Sequence, residues 1–377
     1  MKATPLHLRL SMLILWALAA SIEARAAAPA DAVALVSPSA PADPTAPTGN
    51  ATTTAAGATG VLDKTQKLVV GEDKIYREWA TAYNHVRTLF NKSNFSQLEK
   101  LANTDRATKA KFGNGEWKIF TFYDCLRCSD KDPDATWQLH AQILQAWEKA
   151  KPNSITARVA YAEYLTDYAG HARGGGYADT VTPVGWRLFA ERLGEARKAL
   201  DDAKTLEPKC PMWWMVRLEV ALGQGGLDRA AYDKLFAEAK QEEPQFWHDD
   251  IERGIYLLPR WYGEPGDWEA AAEKEAANPN GAGWEGYTQV VEGLQCFHDN
   301  IFQETKASWP KTKMGFELMC KEYPDSLQVL SNYCKMACVA GDKTEAKALF
   351  VELSGRISPS VWTNRANFIK WRDWANS

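Results

Sequence analysis

From Glu72 onward, apolar side chains recur at intervals of three and four: Ile75, Trp79, Tyr83, Val86 and Phe90 form one stripe, and Phe95, Leu98 and Leu101 begin another. That interval is the surface repeat of an α-helix, so each stripe predicts a helix with one core-facing side, and the two predict an antiparallel pair. Leu193, Ala196, Leu200, Ala203 and Leu206 continue the habit, as do Ala346, Leu349, Phe350 and Leu353, with alanines small enough for close helix approach. The run Trp117 to Tyr123 has no clean helical period and fits a short strand or a buried turn.

A punctuation organises these stretches. Pro152, Pro208, Pro244, Pro279, Pro324 and Pro359 each follow an amphipathic segment, at spacings of 56, 36, 35, 45 and 35 residues. Tetratricopeptide repeats have a period of about 34 residues and close with a proline, which cannot continue a helix yet fits the first turn of the next. Three spacings match and two carry insertions. Gly266-Asp267 and Gly341-Asp342 open two segments alike, glycine permitting the turn and aspartate able to cap a helix. One hairpin cannot bury its apolar face alone, so the predicted fold is all-α, a tetratricopeptide-like α-solenoid of stacked antiparallel hairpins.

The N-terminus reads differently. Lys2 and Arg9 precede the apolar run Leu10 to Ala20, and Ala24-Arg25-Ala26 is a small-x-small site, so residues 1–26 read as a signal peptide cleaved after Ala26. An uncleaved anchor is the alternative, but the run is short of the roughly 20 apolar residues of a membrane span, and no later stretch qualifies. Residues 27–60 are almost wholly Ala, Pro, Thr, Ser and Gly, which reads as a disordered linker. The expected order is therefore signal, linker, an N-terminal helical segment at 61–132 and a repeat domain at 133–377, in an exported, periplasmic or extracellular protein. The chain's 45% hydrophobic and 24% charged residues suit a folded protein, and its formal charge is −4. Loss of Lys2, Arg9 and Arg25 with Glu23 makes the mature part more acidic still, with no basic tract for nucleic acid.

Two segments carry a family resemblance. Trp147, Lys151-Pro152-Asn153-Ser154, Ala157 and Arg173-Gly174-Gly175-Gly176 form the first, and Leu258-Pro259-Arg260-Trp261-Tyr262-Gly263 the second. Together they resemble an uncharacterised bacterial family, a domain of unknown function built from tetratricopeptide-like hairpins, with a Pro-Arg-Trp-x-Gly motif. The resemblance spans Trp137 to Ala277 and implies a fold rather than a reaction.

Candidate chemistry gathers where the repeat is interrupted. In the loop Gly170 to Asp179, Gly174 and Gly176 permit close backbone approach and Arg173 can grip a carboxylate or phosphate; the competing reading is a crossover loop pinned by Arg173 on helix-end carbonyls. No strand precedes it, which argues against a phosphate cradle. Arg260, Trp261 and Gly263, with Trp186 near the first loop, are expected to face the same side of the solenoid and meet Arg173 there. His248 and Glu252 share a helical face and read as a partly exposed pair rather than metal ligands. Cys125 and Cys128 fit a local disulfide, free thiols or, less well, a redox dithiol. Metal and cofactor motifs are missing, as are serine elbows and thiol-nucleophile signatures. The functional expectation is a non-enzymatic scaffold whose concave face binds a protein or peptide. A glycan or cell-wall binder using exposed aromatics, and an enzyme with its site at the Arg173 and Arg260 loops, are the alternatives.

Overall fold

Asp73 opens the first helix by accepting hydrogen bonds from the backbone N–H groups of Ile75 (2.9 Å) and Tyr76 (3.4 Å). The computed structural model describes residues 67–70 and 73–377, so the expected signal (1–26) and linker (27–60) lie outside the described residues. Helices α1 (Lys74–Asn91) and α2 (Phe95–Thr108) pack together as their stripes predict. Asn94, Ser154, Thr182, Asp228, Ser326 and Asp342 cap later helices in the same way as Asp73.

The run that lacked a period is neither strand nor turn but helix α3 (Lys118–Asp124). Ile119, Thr121, Phe122, Tyr123 and Asp124 are all buried, so the segment has no solvent face to leave a polar stripe. Helix α4 (Asp134–Ala150) leads into the repeats.

Five hairpins follow, each entered just after one of the prolines: α5 (Ile155–Arg173) with α6 (Pro183–Ala203), α7 (Pro211–Gln224) with α8 (Arg229–Glu242), and α9 (His248–Tyr256) with α10 (Asp267–Ala276). Then come α11 (Gly283–Leu294) with α13 (Trp309–Glu322), interrupted by α12 (Ile301–Glu304), and α14 (Leu327–Ala340) with α15 (Lys343–Leu353). Helices α16 (Pro359–Trp362) and α17 (Arg365–Ala375) end the stack. Within each hairpin the two helices pack on one another, and the first helices α5, α7, α9 and α11 pack side by side as one layer. The architecture is all-α and solenoidal. The spacing of 56 holds two long helices and the loop at 174–182, and the spacing of 45 holds α12 and the turn before it.

One apolar core runs from Val86 to Ala375. Trp117, Trp137, Trp147, Trp268 and Trp362 are sealed in it, as wedges between stacked helices should be. Strand β1 (Val69–Val70) pairs in parallel with β2 (Arg356–Ile357), which ties the start of the described chain to its last hairpin. Among the described residues no helix is long and apolar enough to cross a membrane.

Candidate functional site

The layer of first helices is the surface a solenoid commonly offers a partner. Here the chain's own residues 106–128 lie along it. The Arg106 guanidinium donates to Thr156 Oγ1 of α5 (2.8 Å), and Arg127 grips Asp167 of the same helix through Nε (2.7 Å) and Nη2 (2.5 Å). Tyr123 OH meets Cys210 Sγ at the start of α7 (3.5 Å). Lys109 pairs with Glu243 (2.7 Å), and Trp117 sets its edge on Phe246. Further along, Glu116 holds His248 Nε2 of α9 (2.8 Å), and Asn114 donates to Gln328 of α14 (3.0 Å). Between them Gly115, at φ +86°, passes so close to the Tyr323 ring and Glu285 that a Cβ would sit 2.9 and 3.0 Å away, respectively. Only glycine threads that gap.

This interior is rich in carboxylates. Glu163 and Glu219 each stand 11 residues after a repeat proline, and Asp124 and Asp167 join them around Arg127. Burial pushes Glu163 well above the usual carboxylate range, with Asp167 and Glu219 adding to the effect against Arg127. Asp167 is pushed up to about 6, burial again outweighing Arg127. A buried ion pair of this kind is a weak net stabiliser but costly to break, because removing one partner strands the other.

The second arrangement lies at one edge of the stack. The first helices run in a common direction, so their C-terminal ends and the loops at 174–182, 225–228, 257–266 and 295–300 share a side. Both repeat insertions fall on it. Arg173 donates from Nη1 to Gly174 O (3.2 Å) and Gly176 O (3.0 Å), and its guanidinium lies 5.2 Å over the Trp186 ring. Gly174 has φ +76°, and a Cβ on Gly176 would come within 2.3 Å of Thr180 Oγ1. Arg260 donates to Phe297 O (3.1 Å), lies over the Phe297 ring, and is within electrostatic reach of Tyr177. A Cβ on Gly263 would strike Leu257 O at 1.9 Å, so the chain doubles back there only with glycine. Trp261 is half-buried beside the core. The loops of Arg173 and Arg260 are therefore neighbours through Tyr177, while each arginine anchors its own surroundings.

Sequence reasoning missed the edge's most exposed rings. Tyr177 is 51% exposed and Tyr262 45%, alongside Val184 and Trp186. Tyr262 stacks on Tyr256 (4.9 Å), which stacks on the fully buried Tyr232 (3.6 Å), a column of three rings from core to solvent. Two aromatics in loops already marked by arginine were the available signal. Open clefts of about 330 and 580 Å³ lie at the opposite edge, among the proline turns at 151–156 and 243–245.

Two expectations are corrected. Cys125 and Cys128 form no disulfide, nor does any cysteine pair among the described residues. Cys125 is sealed at the end of α3, and the turn is held instead by Arg87, which donates to Cys125 O (3.1 Å) and Arg127 O (2.8 Å). Burial pushes the Cys128 thiol up to about 12, away from the reactivity of a redox dithiol. The stretch His248 to Glu252 is no surface pair either. His248 is stacked between Phe120 (3.6 Å) and Trp247 (3.8 Å), Asp250 binds Lys240 (2.7 Å), and Asp249 and Glu252 are buried. The first helices α7 and α11, the second helices α8 and α10 and residues 116–120 together cover α9.

No curated protein and no solved structure matches the chain. A family model does match, over residues 82–225, from within α1 to the glycine after α7. The Trp147-to-Gly176 segment lies inside that stretch and the Pro-Arg-Trp-x-Gly segment outside it, so the shared part begins and ends earlier than Trp137 to Ala277. The matched family is an uncharacterised one, described as Domain of unknown function (DUF4034), and its stretch holds both the threaded residues 106–128 and the helices α5 and α7 on which they lie.

Proposed function

We propose that this is an exported, non-enzymatic helical-repeat protein that binds a protein or peptide partner through its loop edge. The observation that carries the reading is the grouping of exposed Tyr177, Val184, Trp186 and Tyr262 with Arg173 and Arg260, on a body whose inner face is filled by its own residues 106–128. Aromatic side chains and arginine are the residue types that anchor protein interfaces, since they bury much area with few rotatable bonds. Periplasmic or extracellular placement rests on the pattern of residues 1–26, and no cofactor enters the reading.

The same flat rings suit the stacking face of a sugar, which makes a glycan the second reading. A photo-crosslinker at Val184 on the edge, compared with one at Leu318 on the outer helix α13, separates them in cells that export the protein. A discrete protein adduct from position 184 alone is expected. Equal adducts from both positions, or capture of the mature protein by cell-wall glycan, would sink the proposal.

A further inference from the structure

We infer that the proline-turn edge, opposite the loops, carries a second binding site: the open cleft of about 580 Å³ at 243–245 takes a peptide, and a recess beside it seats a primary ammonium of that peptide on Asp250. The site stands apart from the loop edge in residues and in chemistry. The recess has room for one water-sized group, about 10 Å³. Lys240 and Pro244 line both hollows, and Asn278 to Asn280 on the cleft run directly into Gly281 to Gly283 on the recess, so the two adjoin. Asp250 is on the recess wall and only 7% exposed. Its Oδ2 accepts from Lys240 Nζ (2.7 Å), while its Oδ1 is buried with no hydrogen-bond partner. Leaving a buried acceptor unsatisfied costs about 1–3 kcal/mol, so the group that belongs beside it is a donor.

The surrounding charges give that donor its sign. Helices α8 and α10 end at the recess while α9 and α11 begin there, so helix-end charges of both signs offset one another and the side chains decide. Recess and cleft are lined by Lys109 and Lys240 against Glu243, Asp250 and Glu275. Lys109 is committed to Glu243 (2.7 Å) and Lys240 to Asp250, while Arg253 reaches Glu275 at 3.5 Å but holds Asp233 at 2.9 Å. Asp249, within electrostatic reach of Lys240 and Asp250, is sealed with neither carboxylate oxygen bonded. The excess is acidic, and an ammonium, a compact cation with three donors, fits both the size and the sign. The cleft accounts for the rest of the ligand. Gln241, Gln245, Asn278 and Asn280 line it, and side-chain amides, donor and acceptor at once, pair with the N–H and C=O groups of an extended peptide. None of the described residues lining it is aromatic, so it lacks the stacking platform that suits a sugar. The ammonium is that of a lysine side chain or of a free chain end.

The test is calorimetric titration of the full chain with three probes: triglycinamide with a free amino terminus, its N-acetylated form, and acetyl-Gly-Lys-Gly-amide. Saturable one-site binding of the first or the third is expected, the responder identifying the chain end or the lysine as the source, with the acetylated triglycine at least ten-fold weaker. Asp250→Asn should weaken the responder at least ten-fold. Ala276→Leu narrows the recess and leaves every charge in place, so it should weaken binding as much without moving the urea midpoint, and it carries the test where Asp250→Asn fails to fold. Trp186→Ala at the loop edge should leave the titration unchanged. Saturation by neither amine, equal binding of the acetylated probe, or binding that survives Ala276→Leu overturns the proposal. A loss caused by Trp186→Ala overturns it too, by placing the peptide at the loop edge.

Discussion

The inner face and the loop edge are built on the same first helices and are both rich in aromatic and charged side chains, yet they end in opposite states. On the inner face Trp117, Phe122 and Tyr123 are sealed, and Lys109, Glu116 and Arg127 each have a partner drawn from far along the chain. Each such ring contributes about 1.5–3 kcal/mol by leaving water, too much for a segment meant to be displaced. At the edge the rings stand half in solvent, and the arginines bind carbonyls of their own or the adjoining loop. Aromatic richness alone thus fails to mark a binding surface in a repeat protein. What marks one is aromatic surface that the fold has not already used.

Four measurements break or sharpen that contrast. Trp117→Ala should cost the most, about 3–5 kcal/mol in urea unfolding, as a large ring lost from a filled core does; a tolerated substitution would mean the inner face is not sealed. Arg127→Ala should cost about 3 kcal/mol by stranding Asp167, and the Arg127→Ala, Asp167→Ala double variant should lose clearly less than the two singles added. A smaller effect is expected from Glu292 of α11, which burial pushes from 4.5 up to about 8, partly offset by Lys335 of α14. A carboxyl with a raised folded pKa holds its proton more tightly when folded, so its contribution is full below about pH 4.5 and fades as pH rises through 8. Glu292→Gln should flatten the decline in stability between those limits, seen as converging urea midpoints. Least of all, Trp186→Ala and Tyr262→Ala should shift stability by about 0.5 kcal/mol or less while abolishing partner crosslinking at the edge.

The repeat was legible because proline marks a helix boundary chemically, so Pro152 to Pro324 located the entry of each of the five stacked hairpins. Helix α3 was not, since a segment buried all round shows no period. His248 and Glu252 misled for a related reason: what buries them includes Phe120 and Glu116, over 120 residues earlier, and no local spacing carries that information. The Arg173 and Arg260 loops stood out because they interrupt a periodic pattern, but the Tyr232–Tyr256–Tyr262 column depends on how α8 meets α9 and was invisible in one dimension. The Cys125 and Cys128 spacing suggested a disulfide, whereas Arg87, some 40 residues upstream, fixes that turn.

The pairing of β1 with β2 and the bond from Asn114 to Gln328, 214 residues apart, bear on how the protein is made. An open array of hairpins can fold as it emerges, each unit adding to the last. In this chain Val69–Val70 and Asn114 must wait, without these partners, until the final hairpins exist to receive them. Folding is then gated by completion of the C-terminal end, a truncated product stays conspicuously incomplete, and the whole body should unfold in one concerted step rather than fray from a terminus.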